Sequence, residues 1–124
     1  MANPNLAAAT TVYAANVQLA LSSTSATLLV ANAASSGKAY LIDSIVVANV
    51  DGVNAADISV VRFNSATNTG TAFPICSTVT VPADASLIVV GSENKISLTE
   101  NESIYVTASA ANDLVVDANW KELS

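Results

Sequence analysis

Apolar and polar residues alternate with period two along much of this chain, and clusters of turn-forming residues interrupt the alternation at short, near-regular intervals. Ile104, Val106 and Ala108 fall on one side of an extended backbone, and Tyr105, Thr107 and Ser109 on the other; this is the pattern of a half-buried strand. The same test sets Ile58 and Val60 opposite Ser59 and Val61, and Val79 and Val81 opposite Thr78 and Thr80. Near the C-terminus it sets Leu114, Val116, Ala118 and Trp120 opposite Val115, Asp117 and Asn119. The β-branched content of these runs agrees with strand. Turn clusters lie at 32–37, 51–52, 65–70, 82–84, 91–94, 99–102 and 110–113.

Short strands separated by polar turns must bury one face of each sheet against another sheet. The chain therefore reads as all-β, an antiparallel β-sandwich of jelly-roll or immunoglobulin-like type with about eight strands. The expected strands are 16–21, 25–31, 38–50, 56–63, 73–81, 86–90, 95–98, 103–109 and 113–121, some of them fusing across a bend. A helical alternative exists only over 6–20, where Ala favours helix but Thr10, Thr11, Val12 and Tyr13 do not. Residues 1–15 are expected to form an extended arm, either loose or laid along a neighbouring subunit, and 16–124 a single sandwich domain. The 124 residues suit one core. Asp51-Gly52, between two apolar runs, is read as a favoured hairpin pair. The 65–70 segment is read as an exposed loop tip, either a partner contact or a solvated hairpin end.

Charge narrows the partners. The net charge is −6, and Lys38, Arg62, Lys95 and Lys121 are scattered, which disfavours nucleic acid and anionic membrane surfaces. Every apolar stretch is broken before the roughly 18 residues of a transmembrane helix, and no basic segment precedes the Ala-rich N-terminal stretch as in a secretory signal. The chain thus reads as soluble, with no export implied. Cys76, the single cysteine, is read as a buried thiol beside Phe73 and Ile75.

Catalytic machinery is hard to assemble from these residues. There is no His, so Ser-His-Asp and Cys-His arrangements are ruled out. Lys38 lies near Ser35 and Ser36 but reads as a solvated loop lysine. Glu100 and Glu102 read as exposed turn carboxylates rather than an acid-base pair. One Cys and no His exclude a structural zinc site. Asp51, Asn54 and Asp57 supply oxygens in one loop, but without EF-hand spacing or the bidentate Glu. No phosphate-binding glycine loop occurs, and the sequon Asn101-Glu102-Ser103 reads as chance. No catalytic, cofactor-binding or metal residue is assigned. Two residues of interface-enriched types remain. Arg62 shares the phase of Ile58 and Val60, so it either points inward and pairs with an acid or marks the end of the core face. Trp120 reads as a core cap in preference to a binding anchor.

Three stretches resemble small virion proteins of tailed bacteriophages, a diffuse group of β-sandwich proteins rich in Ala, Ser, Thr and Val. The 37–49 stretch, GKAYLIDSIVVAN, is similar to their Gly-Lys turn and long strand ending in Ala-Asn. The 81–87 stretch, VPADASL, resembles their Val-Pro-Ala turn, and 102–112, ESIYVTASAAN, their penultimate strand and hairpin. The run 33–36 stands where a turn proline is usual, and the 65–72 loop is longer than typical. The resemblance implies a non-enzymatic virion component: a capsid decoration or cement protein on the outside of the head, or a neck, tail or fibre accessory protein. It also implies partners in the major capsid protein or other virion proteins and in further copies of itself, and a virion assembled in the host cytoplasm. A carbohydrate- or receptor-binding module is the alternative from another class; it would need a shelf of exposed aromatic rings.

Overall fold

The computed structural model describes residues 3–124, so the first two residues of the expected arm lie outside the described residues. Nine strands follow in order: β1 (Val12–Ala20), β2 (Thr27–Asn32), β3 (Ala39–Asn49), β4 (Ala56–Phe63), β5 (Ala72–Val81), β6 (Ser86–Val90), β7 (Ile96–Leu98), β8 (Glu102–Ala108) and β9 (Leu114–Leu123). They form two antiparallel sheets. Sheet A runs β1-β9-β3-β6, with β7 also on β3, and sheet B runs β2-β8-β4-β5. β6 and β7 pair with successive segments of β3, at 45–48 and 40–42, and act as one strand interrupted over 91–95. Counting them once leaves eight strand positions, which fall in the sheets in the chain order A, B, A, B, B, A, B, A; this is a jelly roll and not the immunoglobulin order.

Within one sheet, only β4 and β5 form a hairpin between chain neighbours. Here the structure corrects the reading of Asp51-Gly52. That segment carries the chain from β3 in sheet A to β4 in sheet B, and Gly52 is absent from the positive-φ residues a type I′ hairpin turn would require. Asp51 instead organises a crossover: Oδ1 accepts from Val53 N–H at 2.8 Å and Asn54 N–H at 3.2 Å. The 110–113 turn is likewise a crossover from β8 to β9, with Asn112 in the left-handed region at φ 68°.

The N-terminal segment also departs from expectation. Residues 12–15 are the first part of β1, paired with Trp120–Leu123, and Leu6–Ala8 form one 3-10 turn capped by Asn5 Oδ1 on Ala7 N–H. Thr10 and Thr11 N–H both bond to Ser124 O at 3.0 Å, and Asn3 Oδ1 accepts from Glu100 N–H. The segment lies on its own domain because the C-terminal strand extends far enough to satisfy its backbone.

Between the sheets, the inward phases predicted from alternation form the core: Ile58, Val60, Ile104, Val106, Leu114, Val116 and Ala118 are each 0% exposed. A register shift at Asp43, between Ile42 and Ser44, resets the phase of β3 so that Ile42, Ile45 and Val47 all face inward. The core is aliphatic; no aromatic residue is among its fully buried members.

Two buried asparagines tie the sheets together, one at each end. Asn49, in sheet A, donates through Nδ2 to Val81 O of sheet B at 2.9 Å and to Asn54 O at 3.0 Å, while its Oδ1 accepts from Asp51 N–H. Asn32, in sheet B, donates to Leu98 O of sheet A at 3.1 Å and to Lys38 O at 2.9 Å, and accepts from Ser36 Oγ. Each amide uses both protons across a crossover. Asn49→Leu would strand the buried Val81 carbonyl and leave the part-buried Asn54 carbonyl and Asp51 N–H without their partner. It is expected to lower stability by about 3 kcal/mol and the melting midpoint by roughly 10 °C, read by denaturant and thermal unfolding.

Candidate functional site

The residues singled out for chemistry are dispersed or already engaged. The Lys38 ammonium is 3.2 Å from Glu122 Oε1, and the Ser36 hydroxyl turns to Asn32, so no Ser-Lys pair forms. Glu100 is not an exposed turn carboxylate: it is 6% exposed, and Oε2 accepts from Gly37 N–H at 3.3 Å. Its backbone N–H donates to Asn3 Oδ1 at 3.1 Å, a contact between residues 97 apart in sequence. Glu102 closes its own turn, Oε1 accepting from Thr99 N–H and Oγ at 2.7 Å each. Asp51 is spent on its crossover, whereas Asp57 accepts from Thr80 Oγ1 at 2.7 Å. Among the described residues no group of three or more His, Cys, Asp or Glu side chains is placed to hold a metal ion. Asn101 Oδ1 is occupied by Ala66 N–H.

Cys76 is half-buried rather than buried, because the inner face of edge strand β5 is only partly covered; burial pushes its thiol up from the ordinary value. Arg62 does both things its phase allowed. It lies at the end of the inward face, opposite Ile104, and its Nη2 is 4.0 Å from Glu102 Oε1. Trp120 packs on the core margin, stacks on Tyr40 with centroids 6.1 Å apart, and donates to Glu122 Oε2 at 3.2 Å. Burial and then Glu122 raise the Tyr40 hydroxyl. The rings that are most exposed, Tyr13 and Phe73, lie on β1 and β5, edge strands of different sheets, and form no shelf. A shallow hollow of about 230 Å³ at Ile88, Gly91, Ser92, Glu93 and Asn94 has one ionisable group, Glu93.

What the fold does build is a contrast between its two outer faces. On sheet A the outer face carries charges and amides, set beside apolar Val46, Val115 and the 68% exposed Ile88. Asp43 holds Lys121 at 2.6 Å and Lys95 at 3.4 Å, Asn119 donates to Ser44, and Gln18 links Asn16 to Asp117. On sheet B one register row crosses all four strands: Leu28, Tyr105, Val61 and Pro74. Phe63 extends it, meeting Tyr105 edge to face with centroids 5.5 Å apart. This row carries no charge. Alternation predicted that Tyr105 and Val61 face outward, but their alignment into one row follows from register, which the sequence does not show.

A second feature is charge polarity along the strands. The crossovers at the Asn49 end contain Asp51, Asp84 and Asp113, Asp57 is the second residue of the adjoining β4, and neither Lys nor Arg occurs in 50–57, 82–85 or 109–113. All four basic residues of the chain pair with acids elsewhere.

No family model matches the chain, and no curated protein matches it. Solved structures do. A chain from the disulfide-linked pili of Bacillus endospore appendages aligns over 92% of this chain and 88% of its own, at 17% identity and TM-score 0.54. A chain from the acid-stable capsid of Helicobacter pylori bacteriophage KHP30 aligns over 94% of this chain and 90% of its own, at 12% identity and TM-score 0.51. The likeness is one of fold. It joins this sandwich to a pilus chain and a phage capsid chain; no helix of the described residues is long and apolar enough to cross a membrane.

The Asp43 cluster gives a pH test. The hydrogen bond from Lys121, aided by Lys95, holds its carboxyl below the ordinary value of 3.8. A depressed folded-state value means that its contribution is present above that pH and lost as pH falls through the folded value. Asp43→Asn is therefore expected to flatten the acid limb of the stability curve below about pH 4, by less than about 1 kcal/mol because the pair is solvent-screened. Urea midpoints between about pH 2 and 6 check this.

Proposed function

We propose that this chain is a non-enzymatic virion structural protein, a capsid decoration or cement protein that binds the outside of the assembled phage head and bridges shell subunits. The observation that carries the reading is the difference between the two outer faces. An uncharged apolar row across sheet B suits burial against a protein shell, whereas burying sheet A's outer face would desolvate the Asp43–Lys121–Lys95 ion pairs. Its jelly roll, similar in fold to a phage capsid chain, and its resemblance to small phage virion proteins support a particle component. The residue 3–124 body acts as one unit, its N-terminal segment included. Acidic charge without a free cationic patch favours an exterior position over contact with the genome. Binding only the assembled shell, such a protein stabilises the particle by mass action. It acts as a homo-oligomer, in a virion assembled in the host cytoplasm, with no cofactor and no catalytic residue.

The pilus chain of the same fold supports a second reading within structural proteins, a neck, tail or fibre accessory component. Quantitative mass spectrometry of purified particles, against the major shell subunit, separates the two. Near-parity is expected for a decoration protein. A copy number far below the shell subunit would move the chain to the neck or tail, and absence from particles would overturn the virion role.

A further inference from the structure

Each sheet of an open sandwich leaves two edge strands whose backbone groups invite pairing, and proteins ordinarily obstruct them. Three of the four edges here are obstructed. β2 has a register shift between Leu28 and Val30. β5 has Pro74, two register shifts and Thr78 in the left-handed region at φ 52°. β6 is five residues long and separated from three-residue β7 by a turn that ends in Lys95. The fourth edge, β1, has none of these devices. Its nine residues, VYAANVQLA, include no charge, Pro or Gly, and its register with β9 is unbroken.

The hydrogen-bond phase shows which groups of β1 are free. Thr11 and Ser124 exchange both backbone bonds at 3.0 Å, and Leu21 N–H bonds to Leu114 O at 2.9 Å. Antiparallel pairs alternate between bonded and non-bonded positions, so the odd residues between these points face β9. Val12, Ala14, Asn16, Gln18 and Ala20 therefore direct their N–H and C=O outward, and all five are exposed.

We infer that the β1 edge pairs with the β1 edge of a second copy of this chain, antiparallel about a two-fold axis, joining two sheets A into one continuous sheet. Among the edges this chain offers, β1 alone is open, so a backbone contact between copies has one solution, and the two-fold closes it. With all nine residues in register the axis passes through Asn16. Asn16 then faces its own counterpart, Ala14 faces Gln18, and Val12 faces Ala20. On the other side of the strand Tyr13, 65% exposed in one copy, meets Leu19 of the other, and Ala15 meets Val17. The apolar pairs cover the exposed end of β1, and the uncharged strand keeps two acidic molecules from meeting charge to charge. This deepens the homo-oligomer part of the proposed function, and its test does not use particles.

Sedimentation of the full chain over a concentration series is expected to show a monomer-dimer equilibrium. Asn16→Pro removes an N–H that β9 does not use, and is expected to weaken the dimer by roughly tenfold or more. Asn16→Lys leaves the backbone intact and sets two ammonium groups across the axis; its weakened dimer should recover in high salt. Circular dichroism confirms that each variant is folded, and if the proline variant unfolds the lysine variant decides. A wild-type chain that stays monomeric, a stoichiometry other than two, or a dimer indifferent to Asn16→Lys would overturn the inference while leaving the copy number in particles untouched.

Discussion

Two buried amides hold the sandwich closed at its ends, and the rest of the architecture depends on the crossovers they secure. In a jelly roll nearly every connection leaves one sheet for the other, so local hairpins cannot define the order of strands. A buried side chain that can donate twice and accept once is well suited to such a junction, since it satisfies the carbonyls exposed where a strand ends. Asn49 does this beside Asp51, and Asn32 beside Ser36 and Lys38. With the ends fixed, valine, isoleucine, leucine and alanine fill the aliphatic interior, and the aromatic rings are left for the margins and faces.

That distribution explains how a chain with few chemically versatile residues can still be specific. Its basic residues are paired with acids, its buried carboxylate Glu100 serves a turn, and Asp51 caps backbone N–H groups. What remains to distinguish one surface from another is register. Leu28, Tyr105, Val61 and Pro74 are far apart in sequence and adjacent in sheet B only because four strands align them. The same alignment places Asp43, Lys121 and Lys95 together on the opposite sheet.

Strand positions were legible in the sequence because one-sided burial imposes period two, and 56–63 and 86–90 coincide with β4 and β6. Partnership between strands was not, because a short polar turn looks alike whether it reverses within a sheet or crosses between sheets. Asp51-Gly52 is the clear instance. Residues 12–15 belong to an Ala-rich N-terminal stretch too weakly apolar to mark a strand by itself, and pairing with Trp120–Leu123 makes them one. Asn32 and Asn49 were read as a turn residue and a strand end. The signal that could have found them is the triplet Val-Ala-Asn, which closes both strands, at 30–32 and 47–49. The partners of Glu100, Gly37 N–H and Asn3 Oδ1, are distant in sequence, so its burial leaves no local trace.

In the proposed role the sheet B face docks on an assembled particle and the sheet A face does not. Binding of purified variants to particles stripped of the chain tests it most directly. Tyr105→Lys sets a charge in the apolar row, and Asn119→Lys sets the same charge on the opposite face. The account predicts that the first loses attachment and the second retains it; equal attachment of the two, or loss by the second alone, would contradict it.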